Sequence, residues 1–369
     1  MGGDVTLPPL AEIPSTVAAV SDYEALARER MSDGIWAYFA GGAGDEWTLR
    51  ENRAAFDRLP LRNRVLRDLS AATTRTHLFG TELAAPILLA PVAFQRMAHP
   101  DGELATVLAA GAIDSVAVVS TQASMDLAEL AAQASSPLWF QLYIQPDRDF
   151  TAALVRRAEQ AGYRALVVTV DAPATGMRWR EQRAGFAFPP GIEAVNLRGM
   201  ASLPPAPREA LLFGTPLAAA APTWDAISWL RSLTTLPIIL KGISTADDAR
   251  RAVDAGADGI IVSNHGGRSL DGMAATIDLL PEVVDAVAAS VPVLMDGGIR
   301  RGTDVLRALA LGARAVLVGR PYLFALAAAG APGVAHVLRL LRAELELAMM
   351  LTGCADVAAI DRSIFAKPV

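Results

Sequence analysis

Eight short apolar runs recur along the chain, each ending in polar or glycine residues, and they limit the possible folds more than any other feature. Runs of this kind are typical of parallel strands buried on both faces. They are Ile87–Pro91, Val116–Ser120, Leu138–Tyr143, Ala165–Asp171, Ile238–Gly242, Gly259–Asn264, Val293–Gly297 and Ala315–Gly319. Helical patterns separate most of them: Asp149–Ala161, Thr245–Ala255, Thr276–Ala289 and Thr303–Leu311. Eightfold alternation predicts an α/β chain folded as a (β/α)₈ TIM barrel rather than an open doubly wound sheet.

The remaining sequence predicts additions to one barrel domain that spans residues 1–369. Two helices, Ser21–Arg30 and Asp33–Phe39, precede the barrel, and a long helix, Val334–Leu351, follows it. Residues 172–223, after the fourth run, are rich in proline and show little amphipathic period. A segment this long exceeds an ordinary βα loop, so a lid, a partner contact and a flexible linker all remain open.

Charge and hydropathy exclude several classes of partner. The net charge of −6 and the pI of about 5.4 argue against nucleic acid and anionic membranes, which both attract basic surfaces. Long apolar stretches such as Leu211–Ala221 and Tyr322–Ala329 are shorter than the roughly 18–20 residues that span a bilayer, so no transmembrane helix is expected. The first twenty residues lack the pattern of a secretory signal, and a cytoplasmic location is predicted.

Cysteine chemistry is nearly excluded. Cys354 is the only cysteine, which rules out an internal disulfide framework and a thiolate metal cage made by this chain alone. No metal site is predicted. Redox chemistry would therefore need a bound organic cofactor.

The ends of the eight runs would bring many polar side chains to one face of a barrel. They are Ser120, Gln141, Tyr143, Thr169, Asp171, Lys241, Ser263, Asn264, His265, Arg268, Asp296 and Arg320. This concentration predicts a large polar ligand. Two glycine-rich turns, 296–302 and 318–321, follow the last two runs and lead into helices, which is the usual place for a phosphate site on a barrel.

His265 and Arg268 suggest chemistry on a carboxylated substrate. His265 directly follows the sixth run, and Arg268 lies three residues further on, so a histidine base would face an arginine that holds an anion. The other three histidines have structural explanations. Lys241 is either a Schiff-base amine or a fixed positive charge, and Arg178 is either a second carboxylate ligand or a surface residue.

Taken in order, these motifs resemble the FMN-dependent 2-hydroxy-acid oxidases and dehydrogenases, which include glycolate oxidase, lactate oxidase, mandelate dehydrogenase and hydroxymandelate oxidase. The resemblance runs from Ser21 to Gly353. The motifs that carry it are Tyr38–Ala43, Ala90–Ala93, Phe140–Tyr143, Thr169–Asp171, Leu240–Gly242, Ser263–Arg268, Asp296–Gly298 and Gly319–Pro321. The segment Ser263–Arg268 alone is highly specific.

The resemblance implies a role for each matching residue near the substrate. His265 would accept a proton, Asp171 would stabilise its imidazolium, and Tyr143 would contact the substrate hydroxyl. Arg178 and Arg268 would bind the substrate carboxylate together with Tyr38. The implied reaction is FMN-dependent oxidation of an (S)-2-hydroxy acid to the 2-oxo acid, with O₂ reduced to hydrogen peroxide.

The resemblance also implies FMN ligands and leaves several questions open. Lys241 would stabilise the charge of reduced flavin. The other expected ligands of FMN are Ala93, Ser120, Gln141, Thr169, Ser263, Asp296, Gly298, Arg300, Gly319 and Arg320. A dehydrogenase with a quinone or another non-oxygen acceptor, and an oxidative-decarboxylating monooxygenase, are the alternatives. The family also implies a homo-oligomer, a tetramer or an octamer.

Position 122, in the expected substrate site, departs from the relatives. Gln122 stands where glycolate oxidase carries a tryptophan. A smaller polar side chain there would admit longer or aromatic 2-hydroxy acids, or would bond a polar substituent. Thr175, Met177 and Phe94 are further candidates for shaping this cavity.

Overall fold

The computed structural model describes residues 6–206 and 211–367, and eight parallel strands form a closed barrel at its centre. A short antiparallel hairpin precedes the barrel, consisting of β1 (Thr76–Leu78) and β2 (Thr81–Leu83). The barrel strands are β3 (Ile87–Leu89), β4 (Ala117–Ser120), β5 (Leu138–Leu142), β6 (Leu166–Thr169), β7 (Ile238–Ile243), β8 (Gly259–Val262), β9 (Val293–Asp296) and β10 (Ala315–Val318). Each pairs with its successor, and β10 closes the ring on β3. The predicted (β/α)₈ barrel is confirmed.

Helices surround the barrel. In chain order they are α1 (Asp22–Arg28), α2 (Asp33–Ala40), α3 (Trp47–Asp57), α4 (Gly102–Gly111), α5 (Leu127–Gln133), α6 (Arg148–Gln160), α7 (Trp179–Arg183), α8 (Pro216–Ala219), α9 (Trp224–Leu233), α10 (Ala246–Asp254), α11 (Thr276–Val287), α12 (Gly302–Ala310) and α13 (Arg320–Thr352). Side-chain caps fix several starts, because Asp147 accepts a hydrogen bond from Phe150 N and Thr245 accepts one from Asp248 N.

Strand residues alternate between two apolar cores. Val167 and Ile239 belong to a cluster inside the barrel, whereas their neighbours Val168 and Leu240 belong to the cluster between strands and helices. This alternation follows from the twofold period of a strand. Because both faces are buried, the strands are apolar throughout and their polar residues are left to the carboxyl ends.

The last helix differs from its prediction. The sequence indicates a helix from Val334, but α13 begins at Arg320 and continues through a kink where Ala329 and Gly330 leave helical geometry. Gly330 has φ +59°, a conformation that glycine adopts without strain. By length and composition α13 could cross a membrane, yet 67% of its most apolar window is buried against the rest of the protein. Packing accounts for its apolarity.

Residues 172–223 contain structure that the sequence did not indicate. The described parts, 172–206 and 211–223, include α7, α8 and a 3₁₀ turn at Val195–Leu197, while residues 207–210 of this predicted loop lie outside the described residues. The side chain of Asn196 is fully buried, accepting a hydrogen bond from Leu127 N at 3.0 Å and donating to Met125 O at 3.3 Å. The first part of the segment is therefore fixed to the loop after β4 and to the first residue of α5.

Candidate active site

The carboxyl ends of the barrel strands open on a cleft. All of the site residues predicted from the sequence line this cleft except Asp171 and Ser263. Those that line it are Tyr38, Ala93, Ser120, Gln122, Gln141, Tyr143, Thr169, Arg178, Lys241, His265, Arg268, Asp296, Gly298, Arg300, Gly319 and Arg320. Asp171 and Ser263 lie directly behind and support residues that face the cleft. The structure thus brings the predicted residues together, while the role of each remains a prediction.

His265 and Asp171 form a hydrogen-bonded pair at the wall of the cleft. The His265 Nδ1 atom lies 2.9 Å from Asp171 Oδ1, which leaves Nε2 as the nitrogen available to a ligand. Burial opposes ionisation of Asp171, but the His265 imidazole and the Lys241 ammonium outweigh it and lower the pKa of this carboxyl. An ionised Asp171 can stabilise a proton that His265 receives.

Backbone geometry fixes this pair. His265 has φ +57°, and its backbone N–H donates to Ser263 Oγ at 3.0 Å. Gly242 has φ +112°, and a Cβ atom there would lie 2.5 Å from the Cβ of Asp171. The absence of a side chain at residue 242 is therefore what allows Asp171 to occupy its position.

Lys241 is a fixed positive charge. Its Nζ lies 3.0 Å from Asp296 Oδ2 and donates to Ser263 Oγ at 2.8 Å. Burial alone would lower the pKa of Lys241, but Asp296 and Asp171 outweigh it and raise the pKa above its ordinary value. A protonated amine is a poor nucleophile, so this environment disfavours the Schiff-base alternative.

Tyr38, Arg178 and Arg268 form a cationic cluster in the cleft. The Arg178 and Arg268 guanidinium groups lie 5.9 and 5.2 Å from the centroid of the Tyr38 ring. Arg268 donates to the backbone oxygens of Tyr38 at 2.5 Å and Gly41 at 3.0 Å. Burial, together with the charge of Arg178, lowers the pKa of Arg268 to about 10. Two close, desolvated guanidinium groups favour a bound carboxylate.

Sequence reasoning missed Glu181, which joins the two arginines. Its Oε1 atom lies 3.2 Å from Arg178 NH1 and 3.5 Å from Arg268 NH2. Glu181 is on α7, in the segment that the sequence left as a loop. Arg178 immediately precedes α7, and the spacing of three residues between it and Glu181 was the available signal, because the first residues of a helix and the residue before it can meet at this spacing.

A polar network lines the middle of the cleft. Gln141 Oε1 accepts from Ser120 Oγ and from Thr121 N, both at 3.1 Å, and Gln141 Nε2 donates to Thr169 Oγ1 at 3.0 Å. Thr121, which the sequence analysis did not single out, also donates through Oγ1 to Gln141 O at 2.6 Å. This network fixes which polar atoms face a planar ligand.

The far end of the cleft is strongly cationic. Arg320 donates to the backbone oxygens of Phe39, Gly266 and Gly41 at 3.0, 2.9 and 2.7 Å, and Arg300 donates to Ile299 O at 2.9 Å. Burial lowers the pKa of both arginines, and Arg268 and Arg300 lower that of Arg320 further. Within the described residues, neither guanidinium forms an ion pair with a carboxylate. Two partly buried cations of this kind fit a dianionic phosphate.

These features pass a direct test for an FMN site. Asp296 Oδ1 is buried and without a hydrogen-bond partner, which suits a ribityl hydroxyl that donates to it. The polar network around Gln141 suits the flavin ring, and the ammonium of Lys241 suits the redox-active edge of that ring. The arginine pair at the far end suits the phosphate. Packing also explains the glycine at residue 298, apart from any role in binding FMN, because a side chain there would collide with Asn52 and Phe56 of α3.

A second chamber continues from the cleft toward solvent. Gln122, Tyr143, Arg178, His265 and Arg268 line both spaces, and residues 172–176 with Leu217 and 220–222 form the outer wall. Thr175 belongs to this wall. Met177 is 63% exposed and lines neither space. Phe94 packs on Phe188, with ring centroids 4.7 Å apart, behind Tyr38.

A parallel barrel with a His–Asp pair, a buried lysine and a cationic end that suits a phosphate, all near the strand carboxyl ends, is typical of flavin-dependent barrel oxidoreductases. Comparison with known proteins gives the family. The profile of the FMN-dependent dehydrogenases matches residues 27–367, and the chain belongs to this family, with FMN as its cofactor.

Named relatives match nearly the whole chain. It is 50% identical over 350 residues to an L-lactate oxidase from Nostoc sp., covering 93% of this chain and 96% of that protein. It is 45% identical to glycolate oxidase 1 from Oryza sativa subsp. indica, covering 94% and 95%. Among solved structures, a mandelate oxidase with 3,3-difluoro-2-hydroxy-3-phenylpropionic acid superposes with a TM-score of 0.85 at 46% identity, covering 94% of this chain and 98% of that one.

Proposed function

We propose that this protein oxidises a small (S)-2-hydroxy acid to the corresponding 2-oxo acid and passes the electrons to O₂, which yields hydrogen peroxide. The observation that carries the proposal is the position of the His265–Asp171 pair beside the carboxylate site made by Arg178 and Arg268. A base next to a carboxylate clamp suits proton removal adjacent to a carboxylate. Relatives named as L-lactate, glycolate and mandelate oxidases support it.

The protein residues divide the work of binding and proton transfer. The substrate carboxylate lies between Arg178 and Arg268, which orients the carbon that bears the hydroxyl group. His265 Nε2 takes a proton from the substrate, and ionised Asp171 stabilises the imidazolium that forms. FMN, when bound, would supply the acceptor for two electrons, with O₂ as the final oxidant.

Tyr143 acts at the substrate hydroxyl. Burial raises the pKa of Tyr143 to about 12, so its hydroxyl stays protonated and can donate to the substrate oxygen. Its backbone N–H donates to Thr121 Oγ1 at 3.2 Å, which holds the residue at the end of β5. A fixed donor at the place where charge develops contributes without reorganisation.

Substrate size follows from the second chamber. Gln122 and Thr175 line it, and no aromatic side chain from position 122 closes it. We propose that it accepts 2-hydroxy acids larger than glycolate. Flavin bleaching rates for glycolate, L-lactate and (S)-mandelate test this, and Gln122→Trp should suppress the larger substrates selectively. Equal loss for all three substrates would contradict the proposal.

One pair of assays separates the oxidase from its alternatives. L-lactate should bleach the flavin under anaerobic conditions, and in air one peroxide should appear for each O₂ consumed. Rapid dye reduction without peroxide would indicate a dehydrogenase, and a decarboxylated acid product would indicate a monooxygenase. His265→Ala should retain FMN, since the FMN ligands are unchanged. It should lose flavin bleaching, because the residue that takes the proton from the substrate is absent.

The assembly state is a further proposal. Leu347, Met350 and Leu351 at the end of α13 are each more than half exposed, which is unusual for large apolar side chains so close together. We propose a homo-oligomer, a tetramer or an octamer, measurable by light scattering coupled to gel filtration. The cytoplasmic location stays a prediction from sequence.

A further inference from the structure

The clamp for the substrate carboxylate contains an internal carboxylate of its own. Glu181 Oε1 contacts Arg178 NH1 at 3.2 Å and Arg268 NH2 at 3.5 Å. The three side chains are largely buried, with 18%, 15% and 14% of Arg178, Arg268 and Glu181 exposed. Solvent therefore screens their charges weakly compared with a surface ion pair.

The charges around the clamp can be assigned from their contacts. Lys241 is matched by Asp296 at 3.0 Å, and Asp171 is committed to His265 at 2.9 Å. That leaves Arg178 and Arg268 with Glu181 as their carboxylate partner among the described residues. Two cations and one anion leave a single uncompensated positive charge at the place where substrate binds.

We infer that Glu181 is a specificity-determining residue, which sets the clamp to the charge of a monocarboxylate and disfavours substrates with a second carboxylate. One substrate carboxylate neutralises the remaining charge. A second carboxylate finds no unpaired cation in the FMN-loaded enzyme, because Asp296 pairs with Lys241 and the FMN phosphate would occupy Arg300 and Arg320. It also meets repulsion from Glu181 and Asp171, so the cost of removing it from water is not compensated. This inference rests on the proposed function, because it assumes that the clamp binds a 2-hydroxy-acid carboxylate.

The geometry indicates that Glu181 influences ligand binding through its negative charge and not only by holding the arginines in position. Arg268 is held independently of Glu181 by the backbone oxygens of Tyr38 and Gly41. Replacing Glu181 by glutamine keeps an oxygen acceptor at the same length and removes only the negative charge. Glu181→Gln therefore separates the two effects.

Oxamate and oxalate are matched probes, since they have nearly the same shape and differ by one negative charge. Their dissociation constants are measured with the FMN-loaded enzyme at low salt by perturbation of the flavin absorbance, which does not require turnover. We expect Glu181→Gln to raise the affinity for oxalate relative to oxamate by about tenfold, because one repulsive charge close to the second carboxylate is lost.

Two further variants control the experiment. Glu193→Gln removes the same charge from the same segment, but from an exposed ion pair with Arg198 outside the cleft, and should leave the ratio unchanged. Glu181→Asp keeps the charge and should also keep the ratio near that of the unaltered enzyme, even if both affinities fall. Flavin content and melting temperature are recorded for each variant.

The outcomes are distinct. A ratio that stays within twofold in Glu181→Gln, or an equal loss of affinity for both probes, would overturn the inference and leave Glu181 as a support for Arg178. An unaltered enzyme that binds neither probe and is not bleached by L-lactate would instead overturn the proposed function.

Discussion

Replacement of Asp171 by asparagine tests the base assignment most directly. Asparagine has the shape of aspartate and can still accept the hydrogen bond from His265 Nδ1, which is 2.9 Å long in the structure. The substitution removes only the negative charge. Reduction of the flavin should slow because the imidazolium formed during proton transfer loses its counter-charge.

The size of the effect follows from Coulomb's law. Two unit charges about 4 Å apart interact by about 4 kcal/mol at an effective dielectric constant of roughly 20. The His265 side chain is 22% exposed, so screening reduces this value, and we take about 2 kcal/mol. At roughly 1.4 kcal/mol for each factor of ten, flavin reduction should slow about thirtyfold.

The assay is anaerobic stopped-flow reduction of the bound flavin by saturating L-lactate. Asp258→Asn is the matched control, because Asp258 pairs with Arg231 and precedes β8 at the amino end of the barrel. A reduction rate in Asp171→Asn within twofold of the unaltered enzyme, with FMN content and melting temperature preserved, would refute the role given to Asp171.

Three further measurements probe the site. Gly242→Ala should destabilise the protein by about 2–4 kcal/mol in urea unfolding, because it adds a clash with Asp171 to backbone strain. Gly162→Ala is the control: residue 162 has φ +88° and open space around it, so the substitution should cost only about 1 kcal/mol. Equal costs for the two variants would contradict this reasoning. Burial raises the pKa of Tyr143 to about 12, so the neutral side chain contributes its full stabilisation below pH 10. This contribution should fall as the pH rises toward 12. The difference in unfolding free energy between the unaltered protein and Tyr143→Phe should therefore change over this interval, and a constant difference would contradict the raised pKa. Arg300→Ala should weaken FMN binding to the apoprotein about 10- to 100-fold by fluorescence quenching, and unchanged affinity would remove Arg300 from the phosphate site.

The barrel and most of the cleft could be predicted from the sequence because their signals are local. A buried parallel strand is otherwise apolar, so a polar residue near its carboxyl end stands out, as Gln141 and Lys241 do. Closure of the barrel then brings such residues together without any further information.

The remaining features depend on contacts between distant segments. Strands β1 and β2 are three residues long and give almost no periodic signal. Helix α3 is positioned by its packing on the glycine turn after β9, where Gly298 meets Asn52 and Phe56. The contact of Glu181 with Arg268, which is 87 positions later in the chain, forms only because the fold brings α7 next to the turn after β8.

The FMN half and the substrate half of the cleft are built from different parts of the fold, and this affects how such enzymes diversify. Strand ends of the barrel supply most of the expected FMN ligands, whereas the proposed carboxylate clamp comes from α2, from residues 172–223 and from the turn after β8. Mutations in the peripheral segments can therefore alter which acid is accepted without disturbing the redox centre. A single redox core can in this way be inherited unchanged by descendants that use different acids.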